Sequence, residues 1–155
     1  ITDYDLGKTV AAINSFIFVH EFAHLLIDAF DLPITGREED AADQLATVFM
    51  TEFVNGGEEY AFDAADFFQS LAQNPSQLKQ ADFFDEHSLD AQRAYAIACW
   101  VAGADENYYK AIEKAGILDA ERLQRCPEEY QQKVHAWMTL LKPYLIKSQA
   151  DAKKS

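Results

Sequence analysis

The sequence predicts a mainly α-helical protein, and three observations carry that prediction. Apolar residues recur at helical spacing along most of the chain. Strand-like alternation is hard to find. The turn signals, Pro33 and Gly36, Asn55-Gly56-Gly57, Asn74-Pro75-Ser76 and Gly116, fall between long helical runs.

The first helix is expected over 6–30, where Val19, Phe22, Ala23, Leu25, Leu26, Ile27 and Phe30 are apolar, and the 31–37 turn ends it. The second covers 38–54 and stops at the Asn-Gly-Gly triplet. The third covers 58–73 and presents Tyr60, Phe62, Phe67, Phe68 and Leu71. A loop-rich stretch then carries Phe83, Phe84, Asp85, Glu86 and His87. The fourth helix starts with Ser88 as N-cap and runs over 88–102, ending at Gly103. A shorter helix is expected over 106–115, and a last one over 127–144, with Pro127 in its first turn and Pro143 straining its end. The aromatic residues Phe62, Phe67, Phe68, Phe83 and Phe84 are expected in the core.

The chain has 155 residues, 49% of them apolar, which is enough for one domain with a core. That domain is expected over 1–147, followed by a polar, disordered tail over 148–155. A net charge of −13 argues against nucleic acid or an anionic membrane surface as a partner. No membrane span is expected either: the apolar run 10–19 contains Asn14 and Ser15 and leads straight into His20 and Glu21. The chain starts with Ile1 and not Met, as expected where a leader has been removed or the chain truncated. Cys99 and Cys126 lack a CxxC spacing, so a cysteine zinc site is not expected; a disulfide and two buried thiols fit the spacing equally well.

The chemistry is concentrated in His20-Glu21-Phe22-Ala23-His24, followed by Glu39 and Asp43. On a helix, residues four apart share a face, so both imidazoles point to one side and Glu21 projects toward the same place. This is the HExxH arrangement of zinc hydrolases, in which two histidines hold the metal and the glutamate acts on water. Such a polar triplet inside an apolar helix is costly unless paired or metal-bound. Glu38 and Glu39 both follow the turn and both reach back; Glu39 is preferred as third ligand because Asp43 sits one turn later on its face. Asp43 then accepts the second ring N–H of a histidine, His20 first, with Asp40 as runner-up. A further group near the metal is needed to hold an oxyanion. His87 is the first candidate, with Tyr95 and His135 behind it. The expected reaction is zinc-dependent peptide hydrolysis with one Zn²⁺ per chain; the alternative is a zinc-binding helical module without turnover.

The ExxxD that follows HExxH resembles the gluzincin pattern of thermolysin-like peptidases, although the gap of fourteen residues is shorter here. The segments HEFAHLLIDAFDLPITGREEDAADQLA (20–46), FFDEHSLDAQRAYAIACWVAG (83–103) and RCPEEY (125–130), with Trp137, resemble the DUF4344 family of bacterial metallopeptidases. The resemblance implies a zincin-like, gluzincin-type helical core with the usual N-terminal sheet short or absent. It carries His20, His24 and Glu39 over as zinc ligands and Glu21 as base, and makes 86–90 part of the active-site wall. It also implies a Cys99–Cys126 disulfide, a peptide or protein substrate, and export to a periplasmic or extracellular space. Two departures stand out: Ala23 replaces the family's usual Gly, and only nineteen residues precede His20.

Overall fold

The computed structural model describes residues 3–145. Six α-helices follow one another: α1 (Asp3–Ala29), α2 (Glu38–Phe53), α3 (Gly57–Leu71), α4 (Asp90–Ala104), α5 (Glu106–Ala115) and α6 (Ala120–Leu141). Short 3₁₀ turns at Pro75–Gln77, Gln80–Phe83 and Lys142–Tyr144 complete the path, and no strand occurs among the described residues. The mainly α expectation is therefore met. The expected tail over 148–155 lies outside the described residues.

α1 buries one stripe, Ala12, Phe16, Val19, His20, Ala23 and Ile27, at the three- and four-residue spacing of a helix face. It packs on α2 and α3. Asp31, with φ of 48°, and Pro33 then turn the chain away. α2 buries Ala41, Ala42, Leu45, Ala46, Val48 and Met50, and its small residues let neighbouring helices close on it from several sides. Buried side chains from all six helices form one continuous core.

α4 is the second central helix and packs on α2, α3, α5 and α6. Gly103 makes its crossing with α6 close: a Cβ there would collide with the Cys126 carbonyl and the Tyr130 side chain. At the same crossing Cys99 and Cys126 form a disulfide. Closing a loop between cysteines 27 residues apart stabilises the fold by roughly 3–4 kcal/mol in the chain-entropy description.

Several boundaries differ from expectation, each for a local reason. Ser88 does not cap α4; its hydroxyl donates to Asp40 on α2 at 2.7 Å, and the helix begins at Asp90. α4 runs through Gly103 because the glycine serves the crossing and not a stop. α6 starts seven residues before Pro127, capped by Asp119, whose carboxylate accepts from the Arg122 amide, so Pro127 lies inside the helix. α5 matches its expected span, with Gly116 closing it at φ of 65°. Phe68 is buried, and Phe62 and Phe67 pack against the core, but Phe83 and Phe84 are exposed in the loop. One premise of the expectation of no membrane span changes: Asp5–Ala29 in α1 is long and apolar enough to cross one by length and composition. A third of its most apolar window is buried against the other helices, and core helices of that composition pass the same test.

Candidate metal centre

The i, i+4 spacing on α1 brings His20 and His24 together as expected, with ring centroids 4.9 Å apart. Their Nε2 atoms face each other at 3.3 Å. α2 crosses above them, and its first turn delivers Glu39. One Glu39 oxygen lies 3.1 Å from His20 Nε2 and the other 3.4 Å from His24 Nε2. One candidate donor atom from each of these three residues lies within 4.8 Å of the others.

Those distances test whether the group fits a metal. Donor atoms bound tetrahedrally to zinc at about 2.0–2.1 Å stand about 3.3 Å apart. The two imidazole nitrogens already stand at that separation, each has one of the two Glu39 oxygens at 3.1 or 3.4 Å, and the donor set of two nitrogens and a carboxylate suits zinc.

The two histidines are held differently. His20 is buried, and its Nδ1 donates to Asp43 Oδ1 at 2.9 Å, the partner expected for it. Asp43 is gripped in turn by Arg93 from α4, Nε to Oδ2 at 2.8 Å and Nη2 to Oδ1 at 2.9 Å. Burial opposes the Asp43 charge, but hydrogen bonds from Arg93 and His20 outweigh it and hold its pKa below the usual carboxylate value. Burial likewise works against the Arg93 charge, and its bonds to Asp43 raise its pKa all the same.

His24 sits at the rim. Its Nδ1 lies 2.8 Å from Glu38 Oε1, and Glu38 is half exposed. Burial lowers the His24 pKa, but the hydrogen bond to Glu38 and the charges of Glu39, Glu38 and Glu21 raise it by more, so the net shift is upward. Glu21 itself is exposed on α1.

His87 also reaches the group: its Nε2 lies 3.0 Å from Glu39 Oε2. The loop that carries it is fixed at three points. The His87 amide donates to Asp85 Oδ1 at 2.9 Å, its Nδ1 lies 3.2 Å from the same oxygen, and Arg37 Nη1 donates to the His87 carbonyl at 2.9 Å. A cleft lined by His24, Arg37, Glu38, Glu39 and Glu86 opens the group to solvent. Tyr95 and His135 are elsewhere: Tyr95 lines a groove with Phe62 and Asp66, and His135 lines one with Arg37 and Asp40. Asp40 bonds Ser88 and not a histidine.

Sequence reasoning missed Arg93 and the Glu38–His24 pair. Arg93 had one usable signal: it is the only cation in α4, an otherwise apolar and acidic helix, so it needed an anionic partner.

No curated protein and no solved structure matches the chain significantly. A family model, DUF4344, described as "Putative metallopeptidase", matches residues 2–141, a span that contains every side chain of the group. By that match the chain belongs to the DUF4344 family.

Proposed function

We propose that the chain is a zinc-dependent peptidase of zincin-like, gluzincin type, with His20, His24 and Glu39 as ligands. The observation that carries this reading is the convergence of two imidazole Nε2 atoms, 3.3 Å apart, and a carboxylate whose two oxygens lie 3.1 and 3.4 Å from them, across two crossing helices. Family membership supports it. Zinc held there supplies Lewis acidity and a water acidified toward neutral pH.

This chain's own residues do the rest. Asp43 accepts the Nδ1–H of His20, which leaves the Nε2 lone pair facing the centre. Glu38 serves His24 in the same way from the rim. Glu21 takes the proton of the attacking water and passes it to the leaving amine. His87, beside Glu39 and pinned by Asp85 and Arg37, holds the developing oxyanion by a hydrogen bond. Residues 1–147 are read as one domain. The Cys99–Cys126 disulfide supports an oxidising, extracytoplasmic setting for it.

The test is Glu21→Gln in a peptide-library cleavage assay, with zinc measured in the same samples. The reading expects hydrolysis by the unaltered chain, and in the variant full zinc with loss of at least about 100-fold in rate. Zinc in both samples and cleavage in neither would instead make the chain a zinc-binding helical module without turnover.

A further inference from the structure

The carboxylate that holds His20 is itself held, and by more than one helix. Asp43 has a side chain only 4% exposed. A carboxylate turns easily about its terminal bond, since such sp³–sp² torsions are broad. One hydrogen bond to an imidazole would not stop that rotation. The Arg93 fork does, because it binds both oxygens at once, at 2.8 and 2.9 Å. The guanidinium is fixed in turn by the Phe68 ring of α3, whose centroid lies 3.8 Å from Arg93 Cζ. Phe68, Arg93, Asp43 and His20 thus form a chain of contacts with one link from each of α3, α4, α2 and α1.

We propose that Arg93 is a positioning residue: by clamping Asp43 it fixes the ring orientation and the Nδ1–H tautomer of His20 before any metal arrives. A neutral imidazole carries its proton on either nitrogen, and the hydrogen bond at one nitrogen decides which. With Oδ1 aimed at Nδ1, Nε2 is left facing His24 at 3.3 Å and Glu39 Oε2 at 3.1 Å, so Nδ1 is the nitrogen whose partner is locked and Nε2 the one whose neighbours form the candidate ligand group. His24 lacks a comparable clamp: its carboxylate partner, Glu38, is 51% exposed. The consequence for metal binding rests on reading His20 as a ligand, whereas the tautomer belongs to the metal-free chain.

Nitrogen-15 spectra of the histidine rings in the metal-free chain, paired with zinc affinity from chelator competition, test the proposal on the unaltered protein, Arg93→Met and Arg93→Lys. The unaltered chain is expected to show His20 as a single Nδ1–H tautomer. Arg93→Met is expected to mix the tautomers and to weaken zinc about 10- to 100-fold, as loss of an outer partner of a ligand does elsewhere. Lysine supplies the charge without the planar fork, so Arg93→Lys is expected to recover only part of both. A lower melting temperature with the tautomer and zinc affinity unchanged would mean a folding role alone and overturn the proposal. Full recovery by lysine would overturn it as well, and this arm decides the matter where the methionine variant does not fold. Failure of the unaltered chain to bind zinc would sink the metal reading, while the tautomer comparison would still decide for or against Arg93.

Discussion

His20 and His24 lie one helical turn apart and face the same point, yet they belong to different parts of the molecule. His20 is in the core, 6% exposed, bonded to a buried aspartate that a partly buried arginine clamps. His24 is at the rim of an open cleft, bonded to a half-exposed glutamate. The difference teaches that one HExxH helix serves two purposes. Its inner histidine is built into the packing of four helices, and its outer histidine stays accessible to solvent.

The largest expected effect comes from removing the carboxylate on each side in turn. Asp43→Ala leaves the partly buried Arg93 without its carboxylate, and breaking a pair with one fully buried partner in this way costs up to about 3–5 kcal/mol. Glu38→Ala breaks an exposed pair and is expected to cost no more than about 1 kcal/mol. Urea denaturation of the metal-free variants measures both, and equal losses would break the comparison. Next in size is the disulfide. Cys99→Ala combined with Cys126→Ala is expected to lower stability by roughly 3–4 kcal/mol while zinc stays bound, because the bridge ties α4 to α6 away from the ligands.

The two sides should also respond to pH with opposite sign. The Asp43 pKa is depressed, so its contribution to stability is complete above the ordinary value of 3.8 and is lost as pH falls through the lower folded value. The His24 pKa is raised, so its contribution in the metal-free chain is complete below 6.5 and is lost as pH rises through the higher folded value. The difference in melting temperature between Glu38→Gln and the unaltered chain should therefore shrink as pH rises above 6.5. The difference for Asp43→Asn should persist there and shrink only in acid below 3.8. A Glu38→Gln difference that grows with rising pH would contradict the assignment.

The smallest effect sits away from the centre. Burial, with Glu59 and Asp66 nearby, raises the pKa of Asp63 on α3. Its charge thus opposes folding at neutral pH, and the penalty fades as pH falls through the raised folded value toward 3.8. Asp63→Asn should raise the melting temperature slightly at pH 7 and leave it nearly unchanged at pH 4.

The legible parts of this molecule were those in which local spacing decides the geometry. His20 and His24 meet because four residues make about one turn, and Glu39 and Asp43 share a face of α2 for the same reason. α5 could be bounded because its stop is a left-handed glycine. Long-range partners were not legible. Arg93 meets Asp43 across fifty residues, and only the α2–α4 crossing brings them together. Ser88 reads as an N-cap by type, but a carboxylate on another helix takes its hydroxyl. Pro127 reads as a helix start, yet Asp119 caps the helix two turns earlier and the proline is carried inside it. For Arg93 and Ser88 a tertiary contact decides the outcome, and for Pro127 a cap upstream in the same helix does.

The measurement that bears most directly on the central claim is the zinc content of the purified chain after equilibration with zinc and dialysis, by elemental mass spectrometry, beside His20→Ala and His24→Ala. The account predicts one zinc per chain in the unaltered protein and none retained in either variant. Zinc absent from the unaltered chain, or stoichiometric zinc kept by both variants, would contradict it.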